Sequence, residues 1–281
     1  MTIYKFVVRI LLAGILLAGL GAKISFASEL HINGELEQGG LVIGHSEPGT
    51  KVTINGRNLR VSELGVFLIG FGRNANNTIT LHIRNPNGHE FQKILKVKQR
   101  KYVVQRIDGL PSRQVIPKPE DLARIRNDNK QIANIRRIDT ANTSFTSGFQ
   151  WPAIGPITGV FGSQRILNGI AKNPHNGVDV GAPKGSSVTA AANGKAVLVH
   201  RDMFYTGKTV MIDHGHGLSS VYVHMDNILI NKGQKVRKGE PIGTVGNTGR
   251  VTGPHLHWGV SLFDVHLDPV LLVGAMPPLL P

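Results

Sequence analysis

The chain has 281 residues, 41% of them apolar and 18% charged, which is long enough for about two folded domains and too apolar for a disordered protein. It has no cysteine, which excludes disulfides, thiol nucleophiles and thiolate metal sites; any metal must be held by His, Asp or Glu. The formal charge is +14, and 34 glycines with 15 prolines favour a turn-rich β architecture over a helical bundle.

The first segment reads as a secretory signal. Lys5 and Arg9 precede an apolar run, Ile10 to Ala22, which Lys23 ends. That run is short of the ~20 residues that span a bilayer. Ser25 and Ala27 supply the small residues of a cleavage site after Ala27. Export to the periplasm or cell envelope is the expectation, with an uncleaved inner-membrane anchor as the alternative. Without Lys5, Arg9 and Lys23, the net charge of 14 falls by three to +11. Outside the inner membrane, the anionic partners for such a surface are wall polymers and lipid headgroups, not nucleic acid.

Residues 28–105 read as a small β-sandwich. Val52 and Ile54 alternate with polar residues before Asn55-Gly56, a strong hairpin signal. Ile79, Leu81 and Ile83 alternate again before Pro86-Asn87-Gly88. Its histidines, His31, His45, His82 and His89, are scattered. Residues 106–150 read as a connector. Pro119 can open a helix, along which Leu122, Ile125, Ile132, Ile135 and Ile138 recur at helical spacing. Thr140 to Gly148 is polar and predicts a flexible join. From 151 to 281 the texture is glycine-rich and all-β. Val188 to Val199 reads as strand, Asn-Gly turn, strand; Thr209 to Ile212 and Leu218 to His224 are further strands.

Eight of the twelve histidines lie between 175 and 266. His175 and Asp179, four apart, would sit ~13 Å from each other on a straight strand. They can share an ion only if the chain folds between them, and Asn176-Gly177 permits that. His255 and His257 share one face of a strand if Leu256 and Trp258 pack inward. The same spacing in Tyr222-Val223-His224 places Val223 inward. Two histidines and a carboxylate can hold a catalytic zinc with a fourth position open. No HExxH occurs, and Glu240 is the sole glutamate after residue 150. The base near the water is then a histidine. Spacing leaves open which three of His175, Asp179, His224, His255 and His257 bind.

Four motifs together resemble one family: His175-Asn-Gly-Val-Asp179-Val-Gly-Ala-Pro183, Tyr222-Val-His224, Gly246-Asn-Thr-Gly249 and Gly253-Pro-His255-Leu-His257-Trp258. In this order they resemble the lysostaphin-like (LytM-type) zinc metallopeptidases, which are peptidoglycan endopeptidases, over roughly residues 150–270. The resemblance implies an antiparallel β-sheet or barrel peptidase domain with one zinc ion, preceded by the small sandwich and the helical connector. It implies that His175, Asp179 and His257 are the zinc ligands and that His224 and His255 are catalytic. Tyr222 and Asn247, inside the motifs, become candidate substrate contacts. The implied partners are peptidoglycan peptide stems, plausibly cut at the D-alanyl–diaminopimelate bond, with an envelope regulatory protein as a further candidate. A tyrosine that some Gram-positive members carry before the first ligand is absent from Asn168 to Asn173.

Other readings are simpler or rarer. Asp213-His214-Gly215-His216-Gly217 reads as a structural or groove-lining turn. Lys184, Lys208 and Arg250 could meet substrate carboxylates, though a solvated surface accounts for them too. A non-catalytic regulator that binds the wall or activates an amidase is the alternative function, with the connector helix occluding the groove. A biotinyl- or lipoyl-type carrier would need Lys195 as its modified lysine and leaves five metal-type residues unused.

Overall fold

The computed structural model describes residues 30–278, which are mostly strand with few helices. The leader expected at 1–27 lies outside the described residues.

Two antiparallel sheets make the N-terminal sandwich. One holds His31–Gly34, Leu41–His45 and Val66–Gly70; the other holds Arg57–Asn58, Lys51–Ile54, Thr78–Arg84 and Glu90–Lys96. Asn55 and Gly56 both take positive φ, 48° and 75°, as a two-residue type I′ hairpin requires. Val52, Phe67, Ile69 and Leu81 are buried between the sheets. The sandwich does not stand apart. Leu41, Val66 and Leu68 belong to the core of the second domain. Arg100 Nη1 donates to Asp268 Oδ2 at 2.7 Å and ties the two together.

The connector helix is Pro119–Arg136, opened by proline and by Asp121, which accepts from the Lys118 N–H and pairs with Arg113. Ile132 and Ile135 pack on Leu198, Met203 and Met211. Leu122 is exposed, so the contact stripe begins later than the spacing suggests. Two expectations change. Val104–Ile107 crosses the boundary expected at residue 105 and pairs in parallel with Gln164–Leu167. The join from Thr140 to Gly148 is packed, not loose. Phe145 is buried, and Thr140 Oγ1 donates to Asp213 Oδ2 at 2.8 Å.

The C-terminal domain is one large antiparallel sheet. Its path runs Lys235–Val236, Gly194–Met203, Gly207–Gly215, Leu218–Ile228, Leu256–Leu262, Val178–Val180, Ile157–Gly159. Asn193-Gly194 is not a hairpin turn here. Ser187–Thr189 pairs with Pro241–Val245 and not with Gly194–Met203, while Ala190, Ala191 and Ala192 enter the core between the two strands. Tyr222 lies opposite Trp258 in the register, and both are fully buried. At ~25 cal/mol per Å², burying one such aromatic side chain stabilises the sheet by ~5 kcal/mol before entropy is counted. The alternate residues of these strands, Val221, Val223 and His257, face a groove.

Candidate metal centre

Three side chains converge on the groove face. His175 Nε2 lies 3.0 Å from Asp179 Oδ1, His257 Nδ1 lies 2.8 Å from the same oxygen, and the two nitrogens are 2.8 Å apart. Asp179 and His257 are register partners on adjacent strands, Val178–Val180 and Leu256–Leu262. His175 reaches them because the chain folds at Asn176-Gly177. A Cβ on Gly177 would stand 2.3 Å from the Trp258 carbonyl oxygen, so only glycine lets the backbone pass there.

The donor set fits a divalent metal. Ligands ~2.0–2.1 Å from a tetrahedral zinc lie ~3.3 Å from one another, so the three atoms need to spread by only a few tenths of an ångström. His175 Nδ1 sits 3.1 Å from the Val160 carbonyl. A carbonyl only accepts, so Nδ1 carries a proton there, and Nε2 is the nitrogen that would turn to a metal, shedding any proton it shares with Asp179. Burial alone would raise the Asp179 carboxyl, but hydrogen bonds from His175 and His257 outweigh it and hold the group well below the usual carboxylate range. Burial pushes His257 down to about 4. The site is thus an anion flanked by a neutral imidazole at pH 7.

His224 and His255 stand across from this cluster. Their rings are 4.9 Å apart between centroids, and His255 Nε2 lies 3.9 Å from Asp179 Oδ1. His224 Nδ1 donates to the Thr248 carbonyl at 2.7 Å and His255 Nδ1 to the Gly253 carbonyl at 2.9 Å. In His224 and His255 alike, Nε2 is the nitrogen left free to face the groove. Burial, with His255 and His257 adding to it, drives His224 well below the ordinary histidine pKa.

The route by which His224 reaches the groove differs from the expectation. On a regular strand it would share the core face with Tyr222. The pairing of Leu218–Ile228 with Gly207–Gly215 instead shifts register beside His224, and His224 takes φ +63°. This bulge turns its ring to the side of Val223 and Val221. Val223 accordingly faces the groove, not the interior. A non-glycine residue with left-handed backbone is costly and clusters at functional positions.

The expected substrate contact at Tyr222 is not met. Its ring is in the core, and its hydroxyl accepts from the Ala191 N–H at 2.8 Å and from Ser220 Oγ at 3.0 Å. Asn247 is exposed on the loop beside Thr248, whose carbonyl orients His224. His214 is structural: Nδ1 donates to the Asn193 carbonyl at 2.6 Å, and Nε2 is 2.8 Å from Ser220 Oγ. Among the described residues, His175, Asp179 and His257 are the one such metal-type cluster found.

The connector shapes the groove. Asn129, Ile132 and Arg136 of its helix, with His175, Tyr205, His224 and His257, line a cavity of about 690 Å³. Gln105, Ile107 and Leu110 line a smaller one, about 150 Å³, beside Asp179 and His255. The helix side of this wall agrees with the expectation that the connector could cover the groove; the strand side was not foreseen, because no motif marks Val104–Ile107 as a strand of the second domain.

Residues 173–269 match peptidase family M23. The chain carries a peptidase family M23 domain. That stretch contains all five groove residues described above. The chain is 36% identical over 142 residues to the peptidoglycan DD-endopeptidase ShyB of Vibrio cholerae, covering 50% of this chain and 30% of ShyB. It is 48% identical over 96 residues to the peptidoglycan DD-endopeptidase ShyA of the same organism, covering 34% of this chain and 22% of ShyA. The chain thus spans less than a third of either relative. A crystal structure of a peptidase M23 from Pseudomonas aeruginosa superposes with a TM-score of 0.66 at 29% identity, covering 86% of this chain and 96% of that one. That similarity extends beyond the M23 domain into the sandwich and connector.

Proposed function

We propose that this protein is a zinc metalloendopeptidase that hydrolyses peptide cross-links of peptidoglycan. The observation that carries the reading is the convergence of His175 Nε2, Asp179 Oδ1 and His257 Nδ1, with two further imidazoles facing them across the groove. The naming of ShyA and ShyB as peptidoglycan DD-endopeptidases supports the substrate class. The leader expected at 1–27 supports work outside the inner membrane.

His175, Asp179 and His257 would hold the metal. When bound, zinc supplies Lewis acidity toward the scissile carbonyl and makes water a competent nucleophile near neutral pH. His224 is the base. Its Nε2 is unprotonated at neutral pH and takes the proton of the attacking water. The Thr248 carbonyl fixes its tautomer and its aim. His224 then returns that proton to the leaving amine, and His255, packed beside it, lies where negative charge develops on the substrate oxygen. Glycan strands make no demand on this chemistry; the reacting group is an amide.

Zinc content and cleavage of cross-linked muropeptides, measured together on the full chain, test the reading. Protein with one zinc per chain should cut, chelated protein should not, and zinc should restore cutting. Zinc-loaded protein that leaves every cross-link intact overturns it.

A further inference from the structure

Two arginines flank the cluster, and neither has a carboxylate to itself. Arg165, on strand Gln164–Leu167, donates from Nη2 to Asp179 Oδ2 at 2.5 Å. Its Nε is buried and without a partner. Arg250 follows the Gly246-to-Gly249 turn. Its guanidinium stacks on Tyr205, 4.4 Å from the ring centre, and its Nη1 makes only a long hydrogen bond, 3.4 Å, to the Gln114 carbonyl. Burial lowers the Arg250 pKa, and Arg165 lowers it further, so the two cations repel across shared space.

Both arginines line both cavities beside the metal-type cluster. Among the described residues, no Asp or Glu lines the larger, and Asp179 is the one acid lining the smaller. Asp179 cannot neutralise both guanidiniums, because its Oδ1 is committed to His175 and His257. Nearby lysines differ. Lys184 pairs with Asp226 at 3.4 Å, and Lys208 donates to the Asp226 carbonyl. A partly buried guanidinium with free N–H groups is costly until an anion meets it. The planar oxygens of a carboxylate match its fork.

We propose that Arg165 and Arg250 form a carboxylate subsite, which selects peptides bearing a free carboxylate on the carbon attached to the leaving nitrogen. The inference rests on the hydrolase reading above and names what its substrate must carry. Its position follows from contact. Arg165 touches Asp179, whose other oxygen faces the two histidines, so an anion held there adjoins the reacting carbonyl. A cross-link to the amino group of an amino acid with a free α-carboxylate supplies that anion. An internal bond of an ordinary polypeptide has an amide at the same carbon, which leaves Arg250 without an anion and Arg165 with Asp179 alone.

The test compares two synthetic cross-linked peptides, identical except that this carboxylate is a carboxamide in one. With the zinc-loaded full chain, kcat/KM should be about 10- to 100-fold lower for the carboxamide. In Arg250→Gln the ratio should shrink toward one, and Arg250→Lys should keep part of it. The ratio is internal to each protein, so misfolding cannot imitate the result. Binding of the same peptides to zinc-free protein, followed by NMR titration, should show the same acid preference and its loss in Arg250→Gln. Cleavage of both peptides at equal rates, or a ratio unchanged in Arg250→Gln, overturns the subsite and leaves the hydrolase reading standing. Cleavage of neither, with acid-selective and Arg250-dependent binding, overturns the hydrolase reading and leaves the subsite. Cleavage of neither and binding without acid preference overturns both.

Discussion

His224 faces His255 across the groove only because its backbone is left-handed, with φ +63° and ring centroids 4.9 Å apart. The bulge that permits this puts an imidazole beside the metal-type cluster without taking a ligand away from it. The two histidines of His255-Leu256-His257 stand at different distances from the cluster. His257 Nδ1 is 2.8 Å from Asp179 Oδ1, while His255 Nε2 is 3.9 Å from it.

That difference predicts unequal outcomes for three alanine variants. His257→Ala should lose both zinc and cleavage. His224→Ala and His255→Ala should keep most of the zinc and lose turnover by about 10²- to 10⁴-fold, the usual contribution of a positioned acid or base. Metal analysis beside turnover measures this. Equal zinc loss in all three would show that the roles are wrongly divided.

A second prediction concerns the fold between His175 and Asp179. Gly177→Ala places a Cβ 2.3 Å from the Trp258 carbonyl oxygen. The backbone must shift, at about 1–3 kcal/mol, and His175 moves away from Asp179. Calorimetry should show a lower Tm, and zinc affinity should fall with it. Full zinc affinity in a folded Gly177→Ala protein would contradict the geometry.

Much of this was legible in the sequence, and the reasons are local. Strand alternation puts His255 and His257 on one face, and Asn176-Gly177 permits the fold that brings His175 to Asp179; which of them bind a metal comes from the motif resemblance, since spacing leaves it open. The Asn55-Gly56 hairpin and the helix opened by Pro119 follow equally from turn and cap chemistry. Tyr222 and Val223 were misassigned because a bulge at His224 breaks the two-residue period, and a bulge leaves no signature in composition. The strand at Val104–Ile107 and the packed join around Phe145 depend on partners far along the chain, Gln164–Leu167 and His216. Local pattern carries no information on such contacts.

Stability should depend on pH through His214. Burial pushes its pKa down to about 4, against about 6.5 for a free histidine. The unfolded chain therefore binds the proton first, and stability falls as pH drops from 6.5 toward 4. The loss is roughly 3 kcal/mol for this group, complete once pH passes the folded value. Above 6.5 its contribution is constant. Denaturant unfolding of zinc-free protein from pH 4 to 8 measures it. In His214→Gln the slope should be reduced, and an identical slope would exclude His214 as its source.

The connector should restrict access to the groove. Asp128 Oδ2 accepts the Phe204 N–H at 2.8 Å and holds the helix Pro119–Arg136 near the cavity it lines. Asp128→Ala removes a bond of about 1 kcal/mol, which raises an open population about fivefold. Turnover of large cross-linked substrates should rise more than that of a short peptide. Unchanged ratios between the two substrates would show that the helix is a fixed wall.

The central claim is tested most directly by mass analysis of cross-linked muropeptides after incubation with the zinc-loaded full chain and with its His257→Ala variant. The account predicts peptide-linked dimers converted to monomers, with one water gained per bond cut and the glycan intact, by the unaltered protein alone. Dimers that persist with zinc bound, or that are cut equally by His257→Ala, would contradict it.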